Sequence, residues 1–220
     1  MEMTRRSLVT SVAAGTATAA IAPSDDGRAE EAPSAASAAA VLAIHYQNEV
    51  LDPGGKIKLG VAEGSPRRAT VIAAARRMLD DARASKTPII HVRIAFSADY
   101  HEVVATGEMW RRVVSGGLMK EGSWGAEFYP GLDPQPSDIV ITHACNNAFL
   151  FSPLKAVLRK IGVRRLTVAG IATNLSVEST VRHASDVGYA VRVVADACSA
   201  RDDETHHASL RTMANFAEIA

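Results

Sequence analysis

The sequence predicts an α/β domain: a three-layer α/β/α sandwich with a mostly parallel central sheet covered by helices on both faces. Short apolar runs suited to buried strands recur through the chain: AAAVLAIHY, TPIIHVRIAF, SDIVITH, VRRLTVAG and YAVRVVADA. Most are separated by segments with apolar residues at helical spacing, the crossovers that parallel strands require. At 220 residues and 47% hydrophobic, the chain can bury one substantial core, and its length requires no second domain.

The first strand is expected at residues 39–45, where an apolar centre is followed by polar QNEV and turn-rich LDPGGK. SPRRATVIAAARRMLDDARAS opens with Ser65 and Pro66 and places Val71, Ala74, Ala75, Met78, Leu79 and Ala82 on one face, an amphipathic crossover helix. TPIIHVRIAF supplies the second strand. About forty residues from Ser97 to Pro136 then form a long excursion, with a short helix expected in VATGEMWRRVVSGGL. Its length is equally consistent with a pocket cover and with a solvent-facing insertion. SDIVITH makes strand three, FSPLKAVLRKIG a helix, VRRLTVAG strand four and LSVESTVRHASDVG another helix. YAVRVVADA, a final helix in DETHHASLRTMANF and a short edge strand in FAEIA complete the order.

Open parallel sheets bind ligands beyond the carboxyl ends of their strands. His45, His143 and Ser176 all fall at such ends, so their separation in sequence is no obstacle to a shared pocket. The segment GIATNLSVESTVRHA runs from strand through a small-residue turn into a helix. Backbone N–H groups at a helix start lack intrahelical partners, so Ala172, Thr173, Asn174 and Leu175 are candidates for a substrate-binding or oxyanion turn. The plainer reading of Asn174 and Ser176 is helix capping. A serine hydroxyl needs a base before it can attack a carbonyl, and His45 or His143 would serve. Alternatively, one histidine activates water and Ser176 only binds.

Trp110, Trp124 and Phe149 are candidate pocket-lining residues, although packing of the excursion onto the sheet is the plainer role for both tryptophans. Glu178 and Arg182 stand one helical turn apart and suit a helix-surface pair. Gln47 and Asn48 suit fixation of the loop beyond His45.

The blocks VLAIHYQNEV, GSWGAEFYPGLDPQPSDIVITHACNNAF and VRRLTVAGIATNLSVESTVRHASDVGYAVRVVADAC resemble the isochorismatase-like hydrolase family of the cysteine hydrolase superfamily, over about residues 39–219. The resemblance implies an isochorismatase-like fold, a small-molecule substrate and a homo-oligomer. It also implies an Asp proton carrier, an orienting Lys and a nucleophilic Cys at the positions held here by His45, His143 and Ser176. Members that hydrolyse isochorismate or a related vinyl ether usually carry Gly in place of that Cys and retain the Asp as general acid. Ser176 suits the loss of covalent catalysis, whereas His45 removes the acid. The expected function is therefore hydrolysis of a small molecule at an amide, carbamate or ester C–N or C–O bond by a His45, His143, Ser176 site. An inactive binding scaffold and vinyl-ether hydrolysis of an isochorismate-like substrate are the alternatives.

Basic and acidic residues balance at 24 each, without the long basic run that nucleic acid favours, so no nucleic-acid partner is expected. Arg5 and Arg6 precede a modest apolar stretch from Leu8 to Ala22 that resembles a twin-arginine export signal, followed by a small, charged, proline-bearing linker. Residues 1–38 are thus expected to be an export signal and linker, and residues 39–220 the hydrolase domain. The expected location is periplasmic or secreted, with the cytoplasm as the alternative. The apolar stretch is too short and polar for a membrane span, so no integral membrane association is expected after export. Cys145 and Cys198 form no CxxC motif and read as small buried hydrophobes. His45, His91, His101, His143, His206 and His207 offer imidazole ligands, but no HExxH or DxH cluster groups them, and no metal or cofactor is expected.

Overall fold

The computed structural model describes residues 39–58, 61 and 64–220. The expected export signal and linker at 1–38 lie outside the described residues.

Six strands form one parallel sheet: β1 (Ala39–Ile44), β2 (Ile89–Ile94), β3 (Ile139–His143), β4 (Arg165–Gly170), β5 (Ala190–Val193) and β6 (Glu218–Ile219), in the order β3-β2-β1-β4-β5-β6. The apolar run of β1 lies in the middle and is buried from Ala40 to Ile44, as a strand covered on both faces must be. β3 lies at an edge and alternates in burial. The strand order reverses between β1 and β4, the topological switch point at which such sheets bind ligands. Ile44 stands level with Gly170 on one side and with Val92 on the other, and Ile94 is level with His143. This register brings the ends of β1, β3 and β4 to one edge of the sheet. Gly170 is required there, because a Cβ on it would lie 2.2 Å from the Ile44 carbonyl oxygen.

Among the described residues, six α-helices occur in chain order: α1 (Asn48–Leu51), α2 (Arg67–Ala84), α3 (Glu108–Ser115), α4 (Leu154–Lys160), α5 (Glu178–Asp186) and α6 (Asp203–Met213). The buried face of α2 consists of Val71, Ala74, Ala75, Met78, Leu79 and Ala82, the residues the helical spacing picks out. Its first turn is closed by Ser65, whose Oγ accepts from the Arg67 amide. α6 opens with Asp202, which accepts from the Thr205 amide.

Two expectations shift. The short helix in the excursion is trimmed to Glu108–Ser115, bounded by Gly107 and Gly116, which favour ends over helix interiors. The helix after β4 does not begin with a side-chain cap: a π turn at Thr173–Val177 precedes α5, and the boundary residue Ala172 has no side chain to cap it. Tyr100, Val113 and Met119 of the excursion form a second apolar cluster with Ile94 and Phe96 at the end of β2, against which Trp110 packs. The main core fills the space around β1, β2 and β4.

Candidate active site

β1 ends one residue before His45, which takes a left-handed backbone conformation with φ 56°. β3 ends on His143 itself. The two side chains meet: His45 Nε2 lies 2.7 Å from His143 Nε2, with ring centroids 5.0 Å apart. One imidazole donates this hydrogen bond and the other accepts it, so the neutral pair holds a single proton between its facing nitrogens. Both rings are buried. Burial pushes the pKa of His45 well below the ordinary imidazole value, and the neighbouring His143 lowers it further against a backbone hydrogen bond at Ile171. Burial also lowers His143, partly offset by backbone hydrogen bonds at Leu150 and Asn147. The pair is therefore uncharged near neutral pH, and each imidazole is a weaker base than it would be in water.

Ser176 sits within the π turn after β4 and is buried. Its Oγ donates to Asn146 Oδ1 at 3.3 Å. The structure thus places the serine hydroxyl on Asn146 and not on an imidazole, and neither Ser176 nor Asn174 caps the helix. Among the described residues the Ala172 amide has no acceptor, whereas the Thr173 amide donates to the Ser199 carbonyl and that of Leu175 to the Ala172 carbonyl. The Asn174 amide likewise has no acceptor among the described residues, and of these two residues only Ala172 lines the cavity described below, which makes Ala172 the candidate oxyanion donor.

A second buried set fixes this turn from behind. Thr173 Oγ1 is 2.8 Å from His206 Nδ1. Ser209 Oγ stands within donating distance of both the Thr173 carbonyl, at 3.2 Å, and Glu178 Oε2, at 2.6 Å. Burial lowers the pKa of His206 to about 4, with Arg67 adding to the effect. His207 is exposed, yet its ring meets that of His206 edge to face, with centroids 5.2 Å apart. Glu178 also pairs with Arg182 at 2.9 Å, as their helical spacing suggests.

A cavity of about 50 Å³ opens over His45 and Ser176, while His143 lies behind His45, outside its lining. His45, Phe96, Asn146, Ala172, Leu175 and Ser176 line it from the strand ends, and Met109, Trp110, Val113 and Met119 from the excursion. Of the three aromatic candidates, Trp110 lines this cavity. Trp124 lies outside the lining with 53% of its surface exposed, and Phe149 stacks on His183 at 4.6 Å between centroids. Local sequence could not separate them, because their places depend on how the excursion and the segment after β3 pack over the strand ends. Gln47 holds the loop beyond His45, donating to the Ile94 and Ala126 carbonyls and accepting from the Ile94 amide, while Asn48 donates to the Trp124 carbonyl.

Asn146, Met109 and Ser209 are contributors that residue-by-residue reading does not single out, and it offers His206 only as an imidazole ligand. Asn146 follows His143 closely enough to have been found by its place beyond β3. His206 and Ser209 carry no such signal, since their role depends on how α6 packs behind the turn.

Among the described residues, one group of three side chains has the spacing to hold a metal ion: Asp99, His101 and Glu102, on an exposed loop. His91 is elsewhere, buried against Asp138 at 3.2 Å, which Arg83 also contacts at 2.9 Å. Cys145 and Cys198 are free thiols, one half-buried and one buried. Cys145 lies 3.8 Å from His143 Nδ1, on the opposite edge of the ring from His45, and burial raises its pKa. No described helix is long and apolar enough to cross a membrane.

Residues 39–220 match the isochorismatase domain family. The chain is 31% identical over 183 residues to a ureidoacrylate amidohydrolase of Agrobacterium fabrum, covering 78% of this chain and 77% of that protein. A solved isochorismatase family protein from Desulfovibrio vulgaris superposes with a TM-score of 0.74 at 26% identity, covering 82% of this chain and 92% of the other. An isochorismatase from Pseudomonas putida is 32% identical with a TM-score of 0.67, covering 84% and 88%.

Proposed function

Because this chain belongs to the isochorismatase family of hydrolases, we propose that it hydrolyses a small molecule at an amide, carbamate or ester carbonyl, using His45, His143 and Ser176. The similarity to a ureidoacrylate amidohydrolase favours a C–N bond. The observation that carries the reading is the buried, uncharged imidazole pair, 2.7 Å between facing nitrogens, whose His45 lines the same cavity as Ser176.

Water activation fits the geometry best, since Ser176 donates to Asn146. In the resting pair each Nε2 is occupied by the other, so a water molecule or the substrate must part the rings before either accepts a proton. Water then attacks the carbonyl carbon and its proton passes to the freed imidazole nitrogen. The C–N or C–O bond breaks and the imidazolium returns the proton to the leaving nitrogen or oxygen. The Ala172 amide is placed to donate to the developing oxyanion, and Ser176 with Asn146 anchors the substrate. A covalent route through Ser176 is the second reading, favoured by its position in the turn beside His45 in the cavity lining.

The test is product formation by mass spectrometry, with the parent chain and Ser176→Ala against a panel of small amides, carbamates, esters and isochorismate. Retained turnover in Ser176→Ala supports water activation, and loss of turnover with an acyl group trapped on Ser176 in the parent supports the covalent route. Turnover of isochorismate alone would replace both with vinyl-ether chemistry. Absence of turnover throughout, in a folded chain, would make this a binding scaffold.

Export through the Arg5–Arg6 signal and assembly into a homo-oligomer belong to the same proposal. Phe151 is 82% exposed and adjoins exposed Leu150, an apolar surface suited to a second copy.

A further inference from the structure

We infer that the substrate bound against His45 and Ser176 is uncharged beside its reacting carbonyl and carries a short apolar group there; this rests on the hydrolase reading above for its reacting bond, but not for its binding. The cavity wall facing the strand ends is built from Ile94, Phe96, Met109, Trp110, Val113 and Met119. Its polar side chains are those of His45, Asn146 and Ser176, and among the described residues no Lys, Arg, Asp or Glu lines it.

A carboxylate placed in such a wall would lose its hydration without gaining a cation, an unfavourable exchange unless a charged partner is supplied. His45 is no substitute partner at neutral pH, because burial keeps it uncharged. Cationic groups are available nearby but line a different space. Lys56, Lys58, Arg112 and Arg201, with Glu108 paired to Arg112 at 2.8 Å, line an adjoining groove of about 520 Å³, which shares Ile57, Met109 and Val113 with the cavity. Cations therefore lie along the neighbouring groove while the reaction cavity stays apolar. At about 50 Å³ the cavity accepts a few water-sized groups, which sets the apolar part at a short branched or linear chain.

Two amides of the same shape separate charge from size: 3-methylbutanamide, with an isopropyl end, and malonamate, with a carboxylate in its place. In Trp124→Phe, which leaves Trp110 as the sole tryptophan, titration followed by fluorescence reads binding without requiring turnover. The expected result is that 3-methylbutanamide binds about tenfold more tightly or better, the discrimination an unpaired buried charge imposes. Met109→Arg, on the partly exposed face of α3, should narrow or reverse that preference by supplying the missing cation. Equal or tighter binding of malonamate to the Trp124→Phe chain would overturn the inference, as would failure of 3-methylbutanamide to bind at millimolar concentration. If 3-methylbutanamide binds preferentially yet nothing is hydrolysed, the inference stands and the hydrolase reading falls. If malonamate is bound preferentially and hydrolysed, the hydrolase reading stands and the inference falls.

Discussion

His45 and His143 at the strand ends, and His101 on the excursion, are imidazoles in opposite surroundings. The first two face one another in a buried site, where burial drives both pKa values down. His101 lies in solvent beside Asp99 at 2.8 Å, and the hydrogen bond and charge of that carboxylate drive its pKa up. The loop set of Ser97, Asp99, His101 and Glu102 has more of the conventional polar machinery: a hydroxyl, an imidazole and two carboxylates in mutual contact. It has no enclosing wall, so water competes for every partner. The buried pair has fewer groups but a wall that excludes water, and a neutral imidazole available as a base. Enclosure, more than the inventory of side chains, distinguishes the candidate site from a surface cluster.

The sharpest way to break this comparison is to remove one imidazole from each region. His45→Asn or His143→Asn should reduce kcat/KM by about 10²–10⁴, the usual contribution of a positioned acid or base. His101→Gln should leave kcat/KM within about twofold, as expected for a solvated side chain outside the cavity. Steady-state kinetics on a substrate found by the mass-spectrometric panel, with circular dichroism to confirm folding, reads both. A large loss in His101→Gln would move the chemistry to the excursion.

The next largest effect is on stability against pH. His45, His143 and His206 have folded pKa values below the unfolded value of 6.5, so the unfolded chain binds more protons between the two values. Their contribution is complete above pH 6.5 and is lost as pH falls through the folded pKa, which for His206 is about 4. For His206 alone this amounts to at most about 3 kcal/mol. Urea titrations from pH 7.5 to 4.5 should show stability falling with pH, less steeply in His206→Gln. Parallel slopes for the two proteins would contradict the burial of a neutral His206.

The fold was legible in the sequence because buried strands and an amphipathic α2 write themselves in residue spacing; the buried face of α2 matches the apolar positions of SPRRATVIAAARRMLDDARAS one for one. The site was legible as a set of strand-end positions, since parallel strands deliver their C-terminal residues to one edge. That His45 and His143 would touch was not legible, because it depends on the register of β1, β2 and β3 together with the left-handed turn at His45. The sequence suggests a capped helix start because Asn174 and Ser176 are good capping residues, whereas the structure forms a π turn without a side-chain cap and engages the Ser176 hydroxyl elsewhere. Asn146 draws Ser176 away, and no local pattern in LSVEST reports that.

A smaller effect is expected behind the turn. His206 supports Thr173 and touches no cavity atom, so it is a positioning residue. His206→Leu leaves the Thr173 hydroxyl buried without its partner, a cost of about 1–3 kcal/mol, and should lower kcat with little change in KM. His206→Asn or His206→Gln, which keep a hydrogen-bonding group, should recover part of kcat. A purely structural role would lower the melting temperature in all three variants without this ordering in kcat.

The smallest effect is the one that tests whether enclosure is the deciding factor. His101 has a raised pKa, so its pairing with Asp99 favours the folded state fully below pH 6.5 and is lost as pH rises through the folded value, the opposite sign to the buried histidines. The imidazole and its carboxylate are 72% and 74% exposed, however, and solvent and salt screen their attraction. His101→Gln should therefore leave the melting temperature unchanged at both pH 5.5 and pH 8 in physiological salt. A clear drop at pH 5.5 that disappears at pH 8 would mean that the excursion holds this cluster more rigidly than its exposure implies, and that charge pairing on the loop, with the apolar wall, helps to shape the cavity.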